Sequence, residues 1–278
     1  MIQISAEQIE SIWDYNAFIP QLKTAFQSEI VVPPRHHYDY QNGQGVNDST
    51  LLIMPAWSNK EYVGIKMVTV SPHNGELDLP SIHGNYTLIE AKNGMIKAQI
   101  DAKKLTVKRT AATSALSSQY LSRSDSKTLL MLGTGALCPE LIKAHSACRP
   151  IEKVLIWGRS KEKAEQRVNE LKNERFEISV IESIEEGVNQ ADIISVATLS
   201  PLPLIEGKWL KAGQHLDLVG SYRPDMREAD DKCLIRSSIY IDSESAMKES
   251  GDLAIPLSEK VITKSELFQY FDYIYGAF

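Results

Sequence analysis

The chain has 278 residues, a formal net charge of −6 at pH 7, and 43% hydrophobic against 24% charged residues. This is the composition of an ordinary globular protein with room for two domains or one large one, and its acidic balance offers no basic field to a phosphate backbone, which excludes nucleic acid and leaves a small molecule as the expected partner. Three cysteines, Cys138, Cys148 and Cys233, lack CxxC spacing, which argues against a disulfide framework or a structural zinc site and makes the chain read as cytoplasmic.

The opening stretch carries Glu7, Glu10 and Asp14 where a signal peptide needs a basic start and an apolar run. No apolar run approaches the roughly 20 residues that span a bilayer, so neither targeting nor a membrane is expected. Ser5 to Gln8 fits a capping box, and Ile9, Ile12 and Trp13 follow at helical spacing, so the chain opens with a helix. Val31-Val32-Pro33-Pro34 stops any helix. Leu51 to Pro55, Tyr62 to Val68 and Tyr86 to Ile89 then read as strands between Asn-, Gly- and Pro-containing turns. The alanine-rich segment Thr106 to Leu121 is a helix that bridges two domains.

Beyond it, strand and helix alternate: Leu129 to Leu132, Glu140 to Ala147, Val154 to Trp157, Lys161 to Leu171, Ile178 to Val180, Ile184 to Asn189, Ile193 to Ala197 and His215 to Val219. That rhythm predicts a parallel sheet and an α/β fold of the doubly wound, Rossmann type. Leu129 to Leu132 runs into Gly133-Thr134-Gly135, and Val154 to Trp157 runs into Gly158-Arg159-Ser160, the layout of a dinucleotide-binding βαβ unit. The first glycine permits the tight turn and the second lets backbone approach a pyrophosphate at a helix N-terminus. Cys138 stands where the motif has its third glycine, so a plain glycine turn is the competing reading.

After the second strand an acidic residue would bind the adenosine ribose. Arg159 with Ser160 instead suits a 2′-phosphate, which favours NADP(H) with NAD(H) as the alternative; otherwise Arg159 is a solvated arginine at a strand end. Ala197-Thr198-Leu199 and Gly220-Ser221 end later strands, where such a sheet builds its ligand crevice, or else they are ordinary turns. Lys66 interrupts an apolar strand, and a buried ammonium there needs a partner such as a substrate carboxylate, unless strand alternation turns it to solvent. Arg35 and Arg109 are each able to clamp a carboxylate in two-pronged fashion or to sit solvated on the surface. His36, His37, His73 and His83 lack ligand spacing, so no metal is expected, and no Gly-x-Ser-x-Gly elbow marks a serine hydrolase.

Taken in order, Gly64-Ile65-Lys66, Asp101-Ala102, Lys108-Arg109-Thr110-Ala111-Ala112, Gly133-Thr134-Gly135, Trp157-Gly158-Arg159, Ala191-Asp192-Ile193-Ile194, Arg223-Pro224-Asp225-Met226-Arg227-Glu228 and Lys248-Glu249-Ser250-Gly251-Asp252 resemble the ornithine cyclodeaminase/mu-crystallin family across nearly the whole chain. The resemblance implies an α+β substrate-binding and dimerisation domain from 1–110, completed by about 255–278, a Rossmann domain over 111–254, and a homodimer. It also implies that Lys66, Arg109 and an arginine near Arg35 contact substrate. Thr110 and the glycine loop, Gly133, Thr134, Gly135, Ala136 and Leu137, contact cofactor. The family's cyclodeaminases carry a catalytic aspartate where this chain has Tyr222, and Leu137-Cys138 replaces the usual Gln-Ala of the loop. Together these features favour an NAD(P)H-dependent reductase of a cyclic imino acid, converting Δ1-pyrroline-2-carboxylate, or the six-membered homologue, to the amino acid. An ornithine cyclodeaminase, an alanine-dehydrogenase-like enzyme and an NADPH-binding protein are the alternatives.

Overall fold

The structure, a computed structural model, describes residues 1–41, 43, 49–58 and 61–269. Residues 270–278, part of the segment expected to complete the first domain, lie outside the described residues. The chain folds as two compact units, one made of Met1–Asp14 and Thr24–Arg109 and the other of Tyr15–Lys23 and Thr110–Phe278.

The first unit starts with β1 (Ile2–Ile4) and α1 (Ala6–Ile12). The expected capping box is present: the Ser5 hydroxyl accepts from the Gln8 amide and the Gln8 side chain accepts from the Ser5 amide. After α2 (Tyr15–Phe26) come β2 (Ile30–Val31), β3 (His36–Tyr40), β4 (Ser49–Ser58), β5 (Tyr62–Val70), β6 (Ile82–Glu90), β7 (Ile96–Asp101) and α3 (Ala102–Leu121). The strands form a seven-stranded sheet in the order β1-β7-β6-β5-β4-β2, with β3 also paired to β4; β1 runs parallel to β7 and the other pairings are antiparallel.

Pro55 sits inside β4, where a proline cannot donate to a ladder. The register resolves this: β3 covers Ser49–Ile53 and β2 covers Trp57 and Ser58, so no strand of the described residues pairs with the edge opposite Pro55. Residues directly opposite one another in an antiparallel pair share a face. One face carries the row Met54, Lys66, Tyr86 and Ile100. The start of α3 packs on this side, since a Cβ on Gly84 would stand 3.2 Å from the Ala102 Cβ. The other face presents the exposed side chains of Val31, Tyr38, Tyr40, Trp57, Met67 and Ile96. Helix α3 begins four residues before the expected Thr106, because the Asp101 carboxylate accepts from the Lys104 amide and caps it there.

The second unit holds β8 (Thr128–Leu132), α4 (Leu137–Cys148), β9 (Lys153–Trp157), α5 (Lys161–Leu171), β10 (Glu177–Val180), α6 (Ile184–Gln190), β11 (Ile193–Val196) and β12 (His215–Leu218). Its five strands are all parallel, in the order β10-β9-β8-β11-β12. Strand order reverses between β8 and β11, the switch point at which doubly wound sheets hold ligands. Leu129 through Leu132 are wholly buried, and Leu130, Leu132, Leu155, Ile194 and Val196 share one core cluster. Ser160 and Ser183 cap α5 and α6 by accepting from the Lys163 and Glu186 amides. Then follow α7 (Asp231–Ile235), β13 (Ile239–Ile241), α8 (Ala246–Glu249), α9 (Gly251–Ser258) and β14 (Leu267–Gln269), with β13 and β14 parallel.

Candidate active site

In the second unit the glycine turn leaves β8 with Gly133 at φ +110, and a Cβ there would stand 2.3 Å from the Ala197 carbonyl oxygen. Only glycine meets both conditions. At Gly135 a Cβ would have no atom within 4 Å, so the backbone there is open to close approach. Ala136 then precedes Leu137, the first residue of α4, without any side-chain cap. The first amides of that helix are the anion-binding donors a pyrophosphate needs. The turn therefore fits a dinucleotide although Cys138, inside α4, replaces the third glycine and is buried.

Thr134 is held by Arg167, which donates to its carbonyl at 3.1 Å, and a Cβ on Gly158 would stand 2.5 Å from the Thr134 methyl. The two turns are thus in contact. Arg159 follows, exposed and without a hydrogen bond or ion pair to any other described residue. The Ser160 hydroxyl accepts from the Lys163 amide, leaving its proton to donate. On the other side of β8, Ala197, Thr198 and the exposed Leu199 follow β11, and Gly220 and Ser221 follow β12. Ser221 donates to the Met226 carbonyl, and the next residue, Tyr222, is exposed.

Sequence reasoning assigned no role to Glu228 or Asp252, which were visible only as members of quoted motifs. The Glu228 carboxylate accepts from the Thr198 amide and hydroxyl and from the Gly220 amide. Asp252 accepts from the Glu228 and Ala229 amides. An acidic residue in a resemblance motif was the one available signal.

In the first unit Lys66 lies on β5 opposite Met54 and Tyr86. It is half-buried, and burial, then the positive charges of Arg109 and Arg35, lower its pKa from 10.5 to about 8. No described residue forms a hydrogen bond or ion pair with it. The expected partner carboxylate is therefore not supplied by a described residue, and the surroundings are cationic instead. Arg35 follows the Pro33-Pro34 stop and Arg109 sits on α3; both are exposed, and Thr110 beside Arg109 is half-buried. The neighbouring Lys108 has a different job. It is buried and, with Lys104, is held by Glu10 of α1, which ties that helix to α3. Tyr86 lies over Gly64, where an added Cβ would come within 2.0 Å of its hydroxyl, and burial raises the phenol's pKa.

His36 and His37 lie in the exposed β3, with His37 against Asp39, and His73 contacts Glu76. Among the described residues no three His, Cys, Asp or Glu side chains come together as a ligand set. No helix of the described residues is long and apolar enough to cross a membrane.

A βαβ glycine turn at the switch point of a parallel sheet, in a chain with a separate sheet bearing a cationic cluster, defines a nicotinamide-dependent class of protein. The model of the ornithine cyclodeaminase/mu-crystallin family matches residues 3–269, and the chain belongs to that family. It is 38% identical over 275 residues to protein SAR DEFICIENT 4 of Arabidopsis thaliana, covering 95% of this chain and 83% of that one. It is 35% identical over 270 residues to a Δ1-pyrroline-2-carboxylate reductase of Colwellia psychrerythraea, covering 95% and 84%. Among solved structures, the Thermococcus litoralis Δ1-pyrroline-2-carboxylate reductase in complex with NADH and L-proline superposes with a TM-score of 0.90 at 28% identity, covering all of this chain and 87% of that one.

Proposed function

We propose that the protein is an NAD(P)H-dependent imine oxidoreductase acting on a cyclic α-imino acid, with Δ1-pyrroline-2-carboxylate reduced to L-proline. The observation that carries this reading is Lys66 itself, a half-buried ammonium whose pKa is lowered by burial and then by the charges of Arg109 and Arg35, with no hydrogen bond or ion pair to a described residue. A half-buried ammonium in that setting is destabilised until an anion enters, and a substrate carboxylate supplies that charge to Lys66. Arg35 and Arg109 clamp that carboxylate in two-pronged fashion. Lys66 orients it and, with a pKa lowered to about 8, supplies or relays the proton taken by the imine nitrogen. A bound nicotinamide cofactor supplies the hydride that the imine carbon receives.

The turn from Gly133 to Leu137 holds the pyrophosphate, with Thr110 as a further cofactor contact. Ala197 to Leu199 and Gly220-Ser221 line the rest of the rim. Arg159 and Ser160 favour NADP(H) through the 2′-phosphate, with NAD(H) accepted. The exposed apolar face of Trp57, Met67, Tyr38, Tyr40, Val31 and Ile96 supports a homodimer.

The test is loss of NADPH and of NADH absorbance on mixing with Δ1-pyrroline-2-carboxylate and with Δ1-piperideine-2-carboxylate, alongside ammonia release from ornithine plus NAD. Imine-dependent oxidation of the cofactor is the expected result. Silence there with ammonia from ornithine overturns the proposal in favour of a cyclodeaminase.

A further inference from the structure

Two acidic residues of the second unit are not used by the chemistry above, yet they lie directly behind the rim of the parallel sheet. Glu228 is wholly buried. Its Oε1 accepts from the Thr198 amide and hydroxyl, each at 2.7 Å, and its Oε2 accepts from the Gly220 amide at 2.7 Å. Thr198 follows β11 and Gly220 follows β12, so a single carboxylate ties together the ends of two neighbouring strands. The fit is tight, since a Cβ on Gly220 would stand 2.2 Å from the Thr198 carbonyl oxygen and 2.4 Å from Glu228 Oε1.

Asp252, on α9, secures the backbone of this brace from behind. Its Oδ1 accepts from the Glu228 and Ala229 amides at 2.9 and 3.0 Å. The charged groups facing the pair are few. Asp252 acts on Glu228 from α9, Arg227 acts on Asp252 from the position next to Glu228, and the loops after β11 and β12 contribute only neutral donors. Burial pushes Glu228 up to about 7; its three donors pull the other way and the charge of Asp252 adds to the rise. As a carboxylate it satisfies all three donors. Once protonated it holds them less strongly: a proton on Oε2 faces the Gly220 N–H, a proton on Oε1 turns the Thr198 hydroxyl from donor to acceptor, and in either case the charge-assisted bonds of the brace become neutral ones.

The strand order places the two halves of a dinucleotide. With the pyrophosphate at the end of β8 and the adenosine side at Arg159 after β9, the nicotinamide half falls on the side of β11 and β12. We infer that Glu228 is a positioning residue for the cofactor, holding the loops after β11 and β12 in the arrangement that receives the nicotinamide half and releasing them when it takes up a proton. This rests on the reading of that rim as a nicotinamide site.

The test is direct titration of the intact protein with NADH between pH 6 and 8.5, followed by fluorescence, for wild type, Glu228→Gln and Thr198→Val. NADH has no group of its own titrating in that range. Wild type should bind about fivefold more tightly at pH 8 than at pH 6, with a midpoint near 7. Glu228→Gln keeps an oxygen for Thr198 but turns an amide NH2 toward the Gly220 N–H. Its affinity at pH 8 should fall about tenfold and its profile become flat. A merely structural residue would lower the melting temperature without flattening the profile.

Thr198→Val removes one donor to the carboxylate, so its midpoint should move to higher pH; this variant decides the matter if Glu228→Gln fails to fold. A flat wild-type profile, a wild-type profile in Glu228→Gln, or an unmoved midpoint in Thr198→Val overturns the inference alone. Failure of wild type to bind either NADH or NADPH overturns the proposed function and this inference with it.

Discussion

The two sheets of this protein handle burial in opposite ways. In the five-stranded sheet β8, β9 and β11 are closed on both faces, and residues such as Leu130, Ile156 and Ile194 have no exposure at all. In the seven-stranded sheet β4, β5 and β6 are half-buried along most of their length. A parallel sheet covered by helices leaves its ligand-binding to backbone at the strand ends, whereas a half-open antiparallel sheet can carry reactive side chains on a face. The first pattern gives glycine turns and capped helices; the second gives Lys66 beside two arginines.

If that contrast is right, side-chain chemistry and stability should separate in the first unit. Lys66→Ala should lower kcat about 10²–10⁴-fold while leaving NADH affinity unchanged, read from steady-state rates and a cofactor titration. The same change should not cost stability. The Lys66 pKa is depressed in the folded state, so its contribution is present above the unfolded value of 10.5 and lost as pH falls through about 8. At pH 7 the buried ammonium therefore weakens the fold, and Lys66→Met should raise Tm while abolishing turnover; a fall in Tm would mean that the lysine is a structural group.

The second unit should show the reverse. Leu130→Ala empties a fully buried position in its core cluster and should cost about 2–5 kcal/mol in denaturant unfolding. If Lys66 supplies the proton as proposed, its protonated form is the active one, and turnover should hold below pH 8 and decline above it. A profile that rises through pH 8 would assign the lysine the role of a base. Ser183→Ala removes the cap of α6 and should cost about 1 kcal/mol. Smallest of all, Lys161→Ala breaks an ion pair to Glu182 in which both side chains are largely exposed, and Tm should not change.

Legibility followed the same division. The expected strand Leu129 to Leu132 is β8 less one residue, the expected helix Lys161 to Leu171 is α5, and Ile184 to Asn189 is α6 less one residue. Fully buried parallel strands read as apolar runs, and Ser160 and Ser183 mark the helix starts beside them. The antiparallel sheet was harder to read. The strand His36–Tyr40 is exposed at every position, so no alternation betrays it, and it exists because β4 offers it an edge. Strands β1 and β7 were likewise missed, and α3 starts before its alanine-rich part because the cap comes from Asp101.

The order of residues along the chain was enough to place the glycine turn after an apolar strand, to mark Lys66 as out of character with its neighbours, and to carry the family resemblance. These are local signals, written in runs of a few residues whose periodicity and turn chemistry need no distant partner. Folding alone buries Lys66 and brings Arg109 and Arg35 near it, and burial first, then those charges, lower the lysine's pKa to about 8. Folding alone also brings Glu228 onto Thr198, 30 positions away, and Asp252 onto the Glu228 amide, 24 positions away. Charge interactions and buried hydrogen bonds depend on distance in space and on exclusion of water, and neither is encoded at any single stretch of the chain.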